Sequence, residues 1–289
     1  MSAENATFRA ALVQMRGGRR PEPNLDAAEA LIRRAGEGGA DYVLTPENTA
    51  LMELSTRELF ANTQPEDGNP GVERFTALAR ELGIWLHIGS IAVKLSDAKI
   101  ANRSFLITPQ GEIAARYDKI HMFDVDLPGG ESYRESKNYR PGEKAVLAGL
   151  PWGGLGLTTC YDLRFPALYR ALARAGAAFL AVPSAFTRQT GEAHWHILLR
   201  ARAIETGCFV FAAAQGGDHE TGRATYGHSL IVSPWGEILC EAGTDPEVIF
   251  ADINPALVSD ARARIPSLRH DRNFERPPAL RAERVEEAS

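Results

Sequence analysis

The chain has 289 residues, 44% of them hydrophobic and 24% charged, with a formal net charge of −5. That profile fits an ordinary folded globular protein and excludes a disordered chain or a basic nucleic-acid binder. No apolar run approaches the roughly 20 residues of a membrane span, and residues 1–7 are too polar for a secretory signal. Three cysteines, Cys160, Cys208 and Cys240, form a sparse, odd set without metal-ligand spacing. The expectation is a reduced, cytoplasmic protein with no nucleic-acid or membrane partner.

Strand and helix signals alternate from the start. Residues 8–14 read as a strand. Asn24 is placed to cap a helix reaching about Gly36, with Leu25, Ala28, Leu31, Ile32 and Ala35 on one face. A short strand at 42–44 stops at Thr45-Pro46-Glu47. A second helix over 72–82 keeps Phe75, Leu78, Ala79 and Leu82 in register, and a strand follows at 85–90. Residues 104–107 and 113–117 flank the turn Pro109-Gln110-Gly111-Glu112, which makes a hairpin. The second half repeats the order: strand 155–159, helix 166–175, strand 179–182, helix 194–206 and strand 209–213. A hairpin over 230–238, turning at Pro234-Trp235-Gly236-Glu237, echoes the first. The pattern predicts an α/β fold with two similar halves, a four-layer α-β-β-α sandwich. One domain is expected over residues 1–280, with a polar tail at 281–289.

The reactive side chains sit where strands end. Cys160 closes the apolar run Gly154-Leu155-Gly156-Leu157-Thr158-Thr159 and is followed by Tyr161-Asp162-Leu163-Arg164-Phe165-Pro166. Pro166 suits a first helical turn, so the thiol is predicted on a strand-to-helix bend that exposes it and aims backbone N–H groups at its target. Glu47 follows one strand and Lys119 another. Ligands of open α/β sheets collect beyond such carboxyl ends. His194 and His228 lack metal-ligand spacing and read as packing residues, while His219 and His270 read as surface residues. Trp195 and Trp235 read as packing or subunit contacts.

The stretches Thr45-Pro46-Glu47-Asn48, Tyr117-Asp118-Lys119-Ile120-His121 and Cys160-Tyr161-Asp162-Leu163-Arg164-Phe165-Pro166 resemble the nitrilase, or carbon–nitrogen hydrolase, superfamily, and its Nit branch in particular. The resemblance runs from about Phe8 to Phe274. It implies the same four-layer fold and a catalytic Glu47, Lys119 and Cys160, with Glu135 as a supporting acid. It requires no metal or organic cofactor. Tyr161-Asp162 after the thiol favours an amidase over a true nitrilase. Ser184-Ala185-Phe186, Ala193-His194-Trp195 and Ala212-Ala213-Ala214-Gln215 are most similar to branch members that cleave deaminated glutathione into 2-oxoglutarate and cysteinylglycine. The alternatives are an omega-amidase acting on 2-oxoglutaramate, an N-carbamoyl hydrolase, or an inactive partner-binding protein on the same scaffold.

The implied roles follow from the groups. Glu47 takes the thiol proton, Lys119 stabilises charge, and Lys119 with the Tyr161 N–H receives the oxyanion. The implied substrate is a small amide carrying carboxylates, for which Arg164 and Arg188 are candidate cations, Arg164 also being able to pair with Asp162. Thr187 is a candidate pocket residue. Two positions depart from the branch pattern, which has Glu where this chain has Ala167 and His196. The resemblance also implies a homodimer or larger homo-oligomer.

Overall fold

A computed structural model of the chain describes residues 6–128, 130–275 and 277. Strands β1 (Phe8–Gln14), β2 (Tyr42–Leu44) and β3 (Trp85–Lys94) pair in parallel, and β4 (Ile100–Ile107) and β5 (Ile113–Asp118) continue the sheet antiparallel. A ribbon of β6 (Asp124–Asp126) and β7 (Ser132–Arg134) leads out of it. In the second sheet β8 (Val146–Leu150) pairs antiparallel with β9 (Gly153–Leu157), which runs parallel to β10 (Ala177–Ala181) and β11 (Phe209–Ala212). After a ribbon of β12 (Gly216–Asp218) and β13 (Ala224–Tyr226), β14 (Leu230–Val232) and β15 (Ile238–Glu241) complete it antiparallel. The last strand, β16 (Glu247–Ile253), returns to the first sheet beside β1.

The two six-stranded orders, β16-β1-β2-β3-β4-β5 and β8-β9-β10-β11-β14-β15, are therefore equivalent: one antiparallel edge, three parallel strands, then a hairpin. The two echoing turns occupy matching places, between β4 and β5 and between β14 and β15. Helices α1 (Pro21–Glu37) and α3 (Pro70–Leu82) cover the first sheet, and α4 (Pro166–Arg174) and α5 (Arg188–Thr206) cover the second. The short α2 (Thr56–Ala61) and α6 (Ala256–Arg264) flank this frame. Alternation along each strand divides the apolar residues between two faces. Val43, Leu86 and Ile88 meet the helices, whereas Leu12, Leu44, Phe179 and Phe211 fill the space between the sheets. The result is the α-β-β-α sandwich.

Several local expectations are corrected. Asn24 lies inside α1, not at its start, because Pro21 already fixes the first turn. Its amide is turned inward, accepting from Gly18 N–H and donating to the Ala50 carbonyl. Helix α5 begins at Arg188, six residues earlier than the apolar period suggests, because the Thr187 hydroxyl caps it. His219 is buried, with its ring nitrogens against the Gly17 carbonyl and the Thr225 hydroxyl. His196, one of the two departures from the branch pattern, and His228 both contact Glu241 Oε1, at 2.8 and 2.9 Å, outside the cavity described below. No helix among the described residues is long and apolar enough to cross a membrane. The tail at 281–289 lies outside the described residues.

Candidate active site

Each candidate side chain is delivered by the end of a strand. Glu47 follows β2, and the segment carrying it presses against β3 at Gly89. A Cβ there would sit 2.1 Å from the Thr45 carbonyl oxygen and 2.6 Å from that of Pro46, so only glycine permits the approach. The loop is pinned further by Asn48 N–H to Ser90 Oγ at 3.0 Å and by the Gln215 amide, which donates to the Glu47 carbonyl. Lys119 follows β5 and is buried. Glu135 leaves β7, and its Oε2 accepts from Phe123 N–H at 2.6 Å.

These groups converge. Lys119 Nζ lies 2.9 Å from Glu47 Oε1 and 3.0 and 2.8 Å from the two oxygens of Glu135. Its three N–H donors are thus matched by three carboxylate oxygens. Asn102, on β4, donates through Nδ2 to Glu47 at 2.9 Å and to Glu135 at 3.2 Å. Ala185 N–H holds the other Glu47 oxygen at 3.0 Å. Asn102 and Ala185 were not legible as site residues. An asparagine within the apolar stretch of β4 is the only sequence signal for the first, and a backbone N–H leaves none for the second.

Cys160 does not sit directly on a helix N-terminus. A turn of 3-10 helix, Cys160–Arg164, intervenes, and α4 begins only at Pro166. The positive end of the α4 dipole is displaced from the thiol accordingly. Cys160 instead adopts the left-handed region, with φ +52°, rare for a residue with a side chain and held here by its surroundings. Its N–H donates to the Pro183 carbonyl at 2.9 Å. The main anchor is Asp162, fully buried and not paired with Arg164. It accepts from Thr159 N–H (2.8 Å), the Tyr117 hydroxyl (2.7 Å) and His121 N–H (3.0 Å), and His121 Nδ1 lies 2.6 Å away. Tyr117 and His121 bracket Lys119 in the chain, so one carboxylate locks the thiol turn to the lysine segment. Asp162→Asn would present an N–H to some of these donors. It is expected to cost about 1–3 kcal/mol in urea unfolding, and the misplaced thiol is expected to lower kcat about 10²-fold.

The electrostatics point to a neutral thiol beside an ionised base. Burial and then the Glu47 charge push the Cys160 thiol well up, against a smaller opposing effect of Lys119. Burial would raise Glu47 too, but Lys119, the Cys160 thiol and the hydrogen bonds it accepts hold it below the usual carboxylate range. Lys119 is desolvated, yet Glu135 and Glu47 hold it firmly protonated. Two pH outcomes follow. Because the thiol titrates above its ordinary range, wild type and Cys160→Ser are expected to show no difference in ultraviolet thiolate absorbance at neutral pH. Because the Glu47 carboxylate persists below the usual carboxylate range, kcat/KM is expected to hold as pH falls to that range and to drop only below it.

The four side chains open onto a cavity of about 250 Å³. Tyr161, Arg164 and Thr187 line it, as do Phe123, Tyr133, Tyr139 and Arg223. The Tyr161 ring packs edge-on against Phe123 and Phe165. Arg164 stands 3.2 Å from His194 Nδ1 with its guanidinium over the Tyr161 and Phe186 rings. The Thr187 hydroxyl is engaged with Thr190 at the start of α5. Arg188 is directed elsewhere, pairing with Asp218 at 2.7 Å. Arg223 carries no motif around it and was not legible.

A family model described as carbon-nitrogen hydrolase matches residues 9–263. The chain belongs to the carbon–nitrogen hydrolase family. It is 42% identical over 268 residues to a deaminated glutathione amidase of Yersinia enterocolitica, covering 91% of this chain and 92% of that protein. Among solved structures, the NitFhit protein of C. elegans superposes with a TM-score of 0.87 at 36% identity, covering 93% of this chain and 66% of that longer one. An amidase of Nesterenkonia sp. AN1, carrying acrylamide added at its active site cysteine, superposes with a TM-score of 0.76 at 29% identity, covering 89% and 98% of the two chains. As a carbon–nitrogen hydrolase this chain cleaves C–N bonds other than peptide bonds, and its substrate is a small-molecule amide.

Proposed function

We propose that this hydrolase is a thiol amidase acting on amides of 2-oxo acids, with deaminated glutathione as its preferred substrate and Cys160 as the nucleophile. The observation that carries the reading is the Glu47–Lys119–Glu135 cluster, buried at Glu47 and Lys119, opening with Cys160 onto one cavity that also presents cations. The name of the Yersinia enterocolitica relative, 42% identical to this chain, supports the substrate.

In the first step Glu47 takes the thiol proton as sulfur attacks the amide carbon. This fits a resting state in which the base is ionised and the thiol is not. The oxyanion forms near Lys119 and the Tyr161 N–H. All Lys119 donors are matched at rest, so its first contribution is charge. An N–H becomes free as Glu47 accepts the proton and its hold on Nζ weakens. Glu135 keeps Lys119 in place throughout. As the tetrahedral species collapses, the C–N bond breaks and the proton on Glu47 passes to the departing amine, leaving a thioester on Cys160. Glu47 then deprotonates water, which attacks the thioester and releases 2-oxoglutarate and the free thiol.

Side-by-side kcat/KM values for deaminated glutathione and 2-oxoglutaramate test the substrate. A clear preference for the first supports the proposal, and equal or reversed values refute it. The reading includes a homodimer or larger homo-oligomer in the cytoplasm. Exposed Ile197 and Ile204 on α5 and Trp235 on the adjoining β14–β15 turn supply an unpartnered apolar face, and all three cysteines are free. Light scattering returning the monomer mass would remove the oligomer.

A further inference from the structure

We infer that Arg223 forms a second carboxylate-binding subsite, on the leaving-group side of Cys160, which selects amides whose departing amine carries a carboxylate. The inference rests on the amidase reading above and adds to it a division of the cavity into two charged ends.

Arg223 lines the cavity, and among the described residues no carboxylate pairs with it. The neighbouring Arg134 is by contrast committed to Asp126 at 2.8 Å. One Nη of Arg223 donates to the Ala185 carbonyl, and the guanidinium stands over the Tyr133 ring at 5.2 Å, which fixes its plane. Its Nε is buried with no hydrogen-bond partner. Among the described residues the bond to Ala185 is the one hydrogen bond this guanidinium makes, so on a cation lining the cavity the remaining N–H groups favour an acceptor from a ligand, and a carboxylate suits the planar fork.

The side follows from Ala185. Its N–H holds Glu47 Oε2 and its carbonyl receives Arg223, so the base and this guanidinium grip the two ends of one residue. Glu47 hands its proton to the departing amine, so the leaving group lies toward Glu47, within reach of Arg223. Arg164 is placed differently, over the Tyr161 and Phe186 rings beside His194. A substrate with a carboxylate at each end fits both cations, with its acyl-side carboxylate at Arg164 and that of its leaving group at Arg223. Deaminated glutathione has this form, whereas an amide that releases ammonia has nothing to offer Arg223.

The test compares deaminated glutathione with its analogue in which the glycine carboxylate is converted to a carboxamide, on the wild-type enzyme and on Arg223→Met and Arg223→Lys. In the wild type the acid is expected to exceed the carboxamide in kcat/KM by about 10- to 100-fold, the range of a charge-assisted hydrogen bond. In Arg223→Met the ratio is expected to approach one, and in Arg223→Lys, which keeps the charge but loses the fork, it is expected to fall between. A general loss of folding or of Glu47 positioning lowers both substrates alike and leaves the ratio, so a ratio retained in Arg223→Met overturns the subsite. Equal wild-type rates on the two compounds overturn it as well while leaving the amidase reading intact. A wild type that cleaves neither compound refutes that reading and the subsite with it.

Discussion

Lys119→Met is expected to damage stability and catalysis together. The ammonium is buried between Glu47 and Glu135, within 3.0 Å of three of their oxygens. Removing it leaves two carboxylates facing each other in a desolvated site, and breaking a buried pair of this kind costs about 3–5 kcal/mol. Asn102, the Ala185 N–H and the Phe123 N–H remain as neutral donors, which softens the loss without replacing the charge. With the cation gone, burial dominates at Glu47, so its pKa is expected to rise and any residual activity to fall away at higher pH than in the wild type. Turnover is expected to drop by 10³ or more, since charge stabilisation of the oxyanion is lost as well. The double variant Lys119→Met/Glu135→Gln separates the two effects. It removes one of the facing charges and is expected to recover part of the urea stability while activity stays lost. Recovery of activity would assign Lys119 to the fold alone.

Glu47→Gln is expected to lower kcat about 10²- to 10⁴-fold, the usual contribution of a general base. The shape is kept, so the loss should fall on kcat rather than on KM. An amide cannot accept from Lys119, Asn102 and the Ala185 N–H with both of its ends, so one donor is left facing an N–H. That costs about 1–3 kcal/mol of stability, less than the lysine variant. On the proposed mechanism the two substitutions differ in kind: the lysine holds the carboxylates together, and the glutamate moves the proton.

What was readable from the residues follows a physical line. The layered fold was visible because period-2 and period-3.6 apolar patterns alternate in two matching runs, and each pattern needs its own covered face. Glu47, Lys119 and Cys160 were visible because each closes a strand within a distinctive stretch. The 3-10 turn at Cys160–Arg164 was not, since Pro166 marks a helix start whether or not a turn precedes it. Asp162 could have paired with nearby Arg164, and it does not. Its real partners, Tyr117, His121 and Thr159, reach it mostly from another sheet. Asn102 and Arg223 act across similarly long separations, from a strand interior and a loop that look ordinary locally. Long-range pairing of single polar groups leaves no periodic trace, and the site is built mainly of such pairs.

The proposed reaction depends on covalent catalysis at one sulfur. Wild-type protein quenched in acid during turnover of deaminated glutathione, then digested and weighed by mass spectrometry, addresses this directly. A 2-oxoglutaryl group is expected in thioester linkage on the peptide containing Cys160, absent from those containing Cys208 and Cys240 and absent throughout the Cys160→Ala variant. Undiminished turnover by Cys160→Ala, or an acyl group located on either of the other two cysteines, would contradict the proposed reaction.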